Sequence, residues 1–162
     1  MEPIRIASLL PSLTEIIAAI PSLRSKIVAV THECDYPPDV TSKSTAITTS
    51  FINPKTMSQA EIDKRVKGSL AVGHSLYGLD EAKLKAADPT IVFTQALCDV
   101  CAVAFPKVLS TCAKVLGDNP RVVSIGEYTH TDTPVYIHVM VVRIYACSYL
   151  VSLCFFPNTE RA

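Results

Sequence analysis

The sequence predicts an α/β fold: a Rossmann-like lobe whose central parallel sheet is flanked by helices, followed by an irregular apolar C-terminal tail. Three observations carry that expectation. Four short runs, at 5–10, 27–30, 91–94 and 122–125, are apolar nearly throughout, the pattern of strands buried on both faces. Helix-opening signals lie between them, at Ser12/Glu15, Ser58/Glu61 and Asp80. Finally, 162 residues with 49% hydrophobic side chains suffice for one ordinary core.

In chain order, the run at 5–10 is aliphatic and ends at Pro11, so it reads as a first strand. Ser12 followed by Glu15 has the spacing of a capping box and is expected to open a helix, which Pro21 then stops. Residues 27–30 form a second strand, running into THECDYPP, where Pro37 and Pro38 are expected to forbid helix and hold the segment extended. Ser58 and Glu61 open a helix with Ile62, Val66 and Leu70 on one face, and Asp80 caps a shorter one through Ala87. Residues 74–79 between them read as an extended connection. The third strand, 91–94, feeds the loop QALCDVCAV. A helix beginning near Pro106 follows, with Val108, Leu109, Cys112 and Leu116 as its core face and Gly117 as its end, before a fourth strand at 122–125.

Strands alternating with helices make a parallel sheet, and in such sheets ligands bind at the carboxyl ends of the strands. Both loops rich in reactive side chains, 31–38 and 95–101, are placed at that end. Past Gly126 the rhythm stops. Residues 1–126 therefore read as one lobe and 127–162 as an aberrant or membrane-prone tail. Within the tail, 135–156 is nearly unbroken apolar sequence interrupted by His138 and Arg143. Its 22 residues would span about 33 Å as a helix, enough for a bilayer, but Arg143 near the middle would cost about 2.5–3.5 kcal/mol to insert. Membrane contact is expected only if that tail inserts.

Fifteen basic and fifteen acidic residues cancel, which excludes the strong positive field that gathers nucleic acid or an anionic membrane surface. Six cysteines do not make a dense disulfide framework, and no basic, apolar signal segment precedes the first strand. Reduced thiols and a cytoplasmic location are expected. No Ser/His/Asp set, paired carboxylates or phosphate-cradling glycine loop is present, so no enzyme activity is expected.

Four blocks in order, LLPSLTEII, VTHECDYPPDV, SLYGLDEAKLKAADPTIVFTQ and LCDVCAV, resemble the cobalamin-type (iron/cobalamin) periplasmic substrate-binding proteins of the helical-backbone metal-receptor superfamily, over residues 4–125. The resemblance implies the N-terminal one of two α/β lobes that are joined by a long helix and hold a corrinoid, haem, siderophore or metal ion between them. The linking helix and second lobe expected after Ile125 are replaced by the apolar tail. Exported relatives deliver ligand to an ABC transporter, a partner not expected for a chain with no signal segment. The chain is expected to be an intracellular binder of a small-molecule corrinoid or metal chelate, or a truncated product without activity.

His32, Glu33, Cys34 and Asp35 offer imidazole, thiol and carboxylate within four residues, and Cys98, Asp99 and Cys101 add two thiols at C-x-x-C spacing. If the loops meet, His32, Cys34, Cys98 and Cys101 make a Cys₃His tetrahedral metal set. The plainer reading is that the cysteines are small buried hydrophobes and that Asp35 and Asp99 fix turns. Tyr36 and Tyr77 are suited either to stack on a flat corrin or to cover the sheet edge. Gln95 and Ser12, just past strands, are placed to hydrogen-bond a ligand's amides, although capping alone would account for Ser12. The alternative chemistry is thiol-disulfide exchange through Cys98 and Cys101; against it, Cys98 lies several residues before the helix start, so the helix dipole is poorly aimed at the sulfur.

Overall fold

A computed structural model describes residues 3–71, 75–95, 103–117 and 120–124, and nearly all of these belong to one compact unit, Ile4–Glu127. The C-terminal tail lies outside the described residues, as do Cys98, Asp99 and Cys101. Along the chain run β1 (Ile6–Ser8), α1 (Pro11–Ala18), α2 (Pro21–Arg24), β2 (Ile27–Val30), α3 (Pro38–Thr41), β3 (Thr45–Ala46) and β4 (Thr48–Ser50). Then come α4 (Gln59–Ala71), β5 (Tyr77–Leu79), α5 (Glu81–Ala87), β6 (Ile91–Thr94), α6 (Phe105–Leu116) and β7 (Arg121–Ser124).

Five strands form one parallel sheet in the order β3-β2-β1-β6-β7. Parallel connections are right-handed. The chain moves one way from β1 through α1 to β2, and the other way from β6 through α6 to β7, so these two helices cover opposite faces. α1 lies against β1 and β2, whereas α5 and α6 pack on each other and reach β2, β3 and β7. The centre is sealed: Ile6, Ala7, Ile91, Val92 and Phe93 are at most 1% exposed. Such aliphatic and aromatic side chains each contribute about 1.5–3 kcal/mol on burial. This is the expected α/β lobe with a parallel sheet between helices.

Strands β2 and β6 occupy the runs read from sequence. β1 is shorter than the 5–10 run, although the amide of Leu9 still donates to the Phe93 carbonyl at 2.9 Å. The fifth strand, β3, and the antiparallel pair β4–β5 were not expected. β3 extends the sheet beside β2. Ile47, wholly buried, then donates its amide to the Val30 carbonyl and accepts from the Asp80 amide, turning the chain out of the parallel sheet into the pairing of Thr48, Thr49 and Ser50 with Leu79, Gly78 and Tyr77. Residues 77–79 of the expected connection are therefore a strand.

Three local expectations are corrected. Ser12 does not cap α1: the N-cap is Leu10, with no side-chain hydrogen bond, because Pro11 has the fixed φ of a first helical residue and starts the helix two positions early. Pro38 does not forbid helix but opens α3 in the same way, while Pro37 stays extended after a cis Tyr36–Pro37 peptide bond. On α6, Val108 and Cys112 are buried as read, but Leu109 is 42% exposed and Thr111 takes the buried position.

Other caps form as expected. Ser58 Oγ and its amide both donate to Glu61 Oε2 at 2.7 Å, and the Glu61 amide returns a bond to Ser58 Oγ. Asp80 accepts from the Lys83 amide, and Gly117 ends α6 at positive φ. Ile62 and Val66 share a face of α4 but are only half-buried, so that helix stands at the margin of the core. No helix among the described residues is long and apolar enough to cross a membrane.

Candidate functional site

Because every strand of the main sheet runs the same way, all its connections toward reactive residues leave at one rim. β1 lies between β2 and β6, and the connections from β1 and β6 go to opposite faces, which makes their junction the topological switch point where a crevice opens. Three segments converge there: Leu10 to Ser12 after β1, Thr31 to Tyr36 after β2, and Gln95 after β6. With strand spacing near 4.8 Å, the departures from β2 and β6 are about 10 Å apart. A small cavity of about 30 Å³ sits at this rim, bounded by Leu10, Pro11, Thr31, Glu33, Tyr77 and Val103, with Thr48 also in its lining. It has room for a water or one functional group, not for a whole cofactor. Larger hollows are lined by other residues, one of about 580 Å³ along α4 and one of about 250 Å³ near the amino end of β2. Their size does not outweigh the convergence of reactive side chains at the rim.

The described candidates fall into two hydrogen-bonded sets. On the β4–β5 side, Thr48 Oγ1 is a hub: it accepts from the His32 amide at 2.9 Å and lies 2.6 Å from His32 Nδ1 and 2.8 Å from Thr31 Oγ1. Thr31 and Thr48 are both buried. The His32 ring is tilted 42° against Tyr77 at a centroid separation of 5.7 Å. Its Nε2 is shielded from solvent, with Glu33 Oε1 3.1 Å away but not aligned as a hydrogen bond.

On the α1 side, Cys34 Sγ lies 3.1 Å from Thr14 Oγ1. The Thr14 hydroxyl is also within hydrogen-bond distance of Ser8 Oγ and the Leu10 carbonyl. Burial pushes the Cys34 thiol above its ordinary pKa, the nearby Asp35 and Glu15 charges add to that, and hydrogen bonding to Thr14 and Thr31 opposes it. Cys112, the other described cysteine, is buried in α6 and pushed up to about 11 by burial alone.

Ser12, Asp35 and Tyr36 are exposed at the rim, Tyr36 by 59%, and Gln95 is half-buried. Tyr77 turns its ring toward His32 and the core rather than standing free. Among the described residues no group of three or more His, Cys, Asp or Glu side chains could hold a metal ion. The thiols of Cys98 and Cys101 in the expected tetrahedral set lie outside those residues. Sequence reasoning missed Thr14, Thr31 and Thr48, which hold the candidates in place. Two more rim hydroxyls, Thr94 and its register partner Ser124, are shielded and have no hydrogen-bond partner among the described residues.

No family model matches the chain, and no curated protein matches it. Among solved structures it is similar to a possible iron-binding (periplasmic solute-binding) protein from Staphylococcus epidermidis, at 18% identity and a TM-score of 0.44. The match covers 97% of this chain and 53% of that one, so the chain spans about half the length of that structure.

Proposed function

We propose that this chain is a binding module rather than an enzyme, and that the rim crevice between β1 and β6 takes a corrinoid or metal chelate. The observation that carries the reading is the single parallel rim at which the segments from Leu10, Thr31 and Gln95 emerge together, on either side of the sheet's switch point. The THECDYPPDV and LLPSLTEII blocks, on which the likeness to cobalamin-type binding proteins rests, supply two of those three segments, and the third, at Gln95, closes the SLYGLDEAKLKAADPTIVFTQ block. A large flat ligand would rest across the rim and place one substituent in the small cavity, with exposed Tyr36 and half-buried Gln95 as flanking contacts. A metal ion bound directly would draw on His32 Nε2 and Glu33, with Cys34 only after loss of its proton.

The test is titration of the purified chain with cyanocobalamin, haemin and divalent zinc, cobalt and iron, followed by absorbance and calorimetry. Saturable one-to-one binding of cyanocobalamin or haemin supports the reading. Absence of binding to all of them refutes it, and binding of simple metal ions alone would move the assignment to a metal site.

A further inference from the structure

Helix α6 begins at the strand carboxyl rim with its amino end uncapped. Its N-cap, Ala104, has no side-chain oxygen to accept an amide, and no acidic residue lies in the first turn. Lys107 stands there instead, adding positive charge to the positive end of the helix dipole. Pro106 has no amide to offer, and the Lys107 and Val108 amides turn back on the Ala104 carbonyl at 2.9 and 3.0 Å. The Phe105 amide has no acceptor within the helix. Such an end favours an anion, and a second, independent feature of the fold points to one.

Thr94 and Ser124 stand side by side at the carboxyl ends of β6 and β7, and both hydroxyls are shielded. Val92, Val108 and Cys112 belong to one buried cluster, with Val122 packed against it, so Val92 and Val122 point to the face that α6 covers. Side chains alternate along a strand, so Thr94 and Ser124, two residues on, point to that same face. From the layer that Val92 and Val108 share, two strand residues advance about 6.6 Å toward the rim, and the helix from Val108 back to Ala104 covers about 6 Å. Both hydroxyls are thereby aimed at the amino end of α6. Thr94 is wholly buried, and neither hydroxyl has a hydrogen-bond partner among the described residues. Folds rarely leave buried polar atoms so unless something else supplies the acceptor.

We propose that the amino end of α6, with Thr94 and Ser124, is a subsite for a phosphate group. The two hydroxyls donate from the sheet, the Phe105 amide donates from the helix, and the Lys107 ammonium supplies charge from the exposed side. Donors arriving from two layers surround a tetrahedral oxyanion better than a planar carboxylate. Of the acidic side chains near α6, Glu81 pairs with Lys114 toward its carboxyl end. Glu33, which lines the rim cavity together with Val103, has its Oε1 3.1 Å from His32 Nε2. The subsite does not depend on a corrinoid or chelate occupying the crevice between β1 and β6.

The test uses the full chain labelled with ¹⁵N-phenylalanine, the Phe105 amide being assigned among five such signals by its loss in Phe105→Leu. Inorganic phosphate, titrated at neutral pH against sodium chloride of equal ionic strength, is expected to shift the Phe105 amide saturably. Acetate over the same range is expected to give no saturable shift. Thr94→Val is expected to raise the phosphate midpoint about tenfold or more, the worth of a hydrogen bond to a charged group, whereas Thr94→Ser, which keeps the hydroxyl, is expected to stay within about threefold of wild type. The wild-type titrations leave the buried strand untouched. No saturable phosphate shift overturns the subsite. An unchanged midpoint in Thr94→Val also overturns it, since the anion would then sit on the helix end alone, and equal binding of acetate overturns the choice of phosphate. Each of these results leaves the binding reading of the rim crevice standing, because the cyanocobalamin and haemin titrations decide that separately.

Discussion

Replacing Thr48 with valine keeps the shape of the side chain and removes the hydroxyl that satisfies three neighbours at once. Thr48 is 4% exposed, so water cannot take over that role. The His32 amide loses its acceptor at 2.9 Å, Thr31 Oγ1 loses its partner at 2.8 Å, and Nδ1 loses its bond at 2.6 Å. A buried group left without a partner costs about 1–3 kcal/mol. The ring, 24% exposed, can recover part of its loss in solvent, and the added methyl returns about 0.8 kcal/mol of apolar burial. The net expectation is a loss of about 2–3 kcal/mol, or roughly 10 °C in Tm for a domain of this size. Urea unfolding followed by circular dichroism, with the exposed neighbour Thr49→Val as control, measures it. A loss below about 0.5 kcal/mol, or one equal to the control, would refute the hub.

Other outcomes follow from the same structure. Phe93→Ala empties a wholly buried position in a central strand and should cost about 3–5 kcal/mol in urea unfolding. Ser58→Ala should cost about 1 kcal/mol by breaking the capping box of α4, whereas Ser12→Ala, which removes no cap, should stay within about 0.5 kcal/mol in the same assay. Cys112, raised on folding, favours the native state while the unfolded thiol is still protonated; that advantage is full below about pH 9 and lost as pH rises toward about 11. The stability difference between wild type and Cys112→Ala should therefore shrink by roughly 2–3 kcal/mol over that window, measured by urea unfolding at each pH.

What was legible in the sequence was what local pattern determines. The runs at 27–30 and 91–94 are apolar nearly throughout and bounded by polar residues, so their strands could be read residue for residue. Asp80 and Ser58 advertise their helices because each has its partner three residues on. The failures share a different cause. Ser12 has the right partner spacing, but the ring of Pro11 moves the helix start, a steric fact that outranks the box. Leu109 reads as part of the core face because pattern reading ranks side chains by hydrophobicity, whereas helical phase places Thr111 in the core, with no hydrogen-bond partner among the described residues. Strands β3 and β4 lie in a serine- and threonine-rich stretch resembling a loop; only pairing with β2 and β5 makes them strands, and β5 is some 30 residues distant.

The site divides along the same line. That the polar loops would gather at one rim follows from the alternation of strands and helices, and His32 to Tyr36 and Gln95 were identifiable on that basis. The hub was not, because Thr48 reaches His32 across 16 residues and Thr14 reaches Cys34 across 20. Nothing in the local sequence marks either threonine as more than a strand or helix former.

Hydrogen–deuterium exchange of the full chain, with and without saturating cyanocobalamin, tests the central claim most directly. Binding at the switch point should slow exchange in the peptides around Leu10, Thr31 to Tyr36 and Gln95 while leaving those around Arg24, Asp39 and Lys43, beside the hollow near the amino end of β2, unchanged. Protection confined to the latter set, or no protection anywhere, would contradict it.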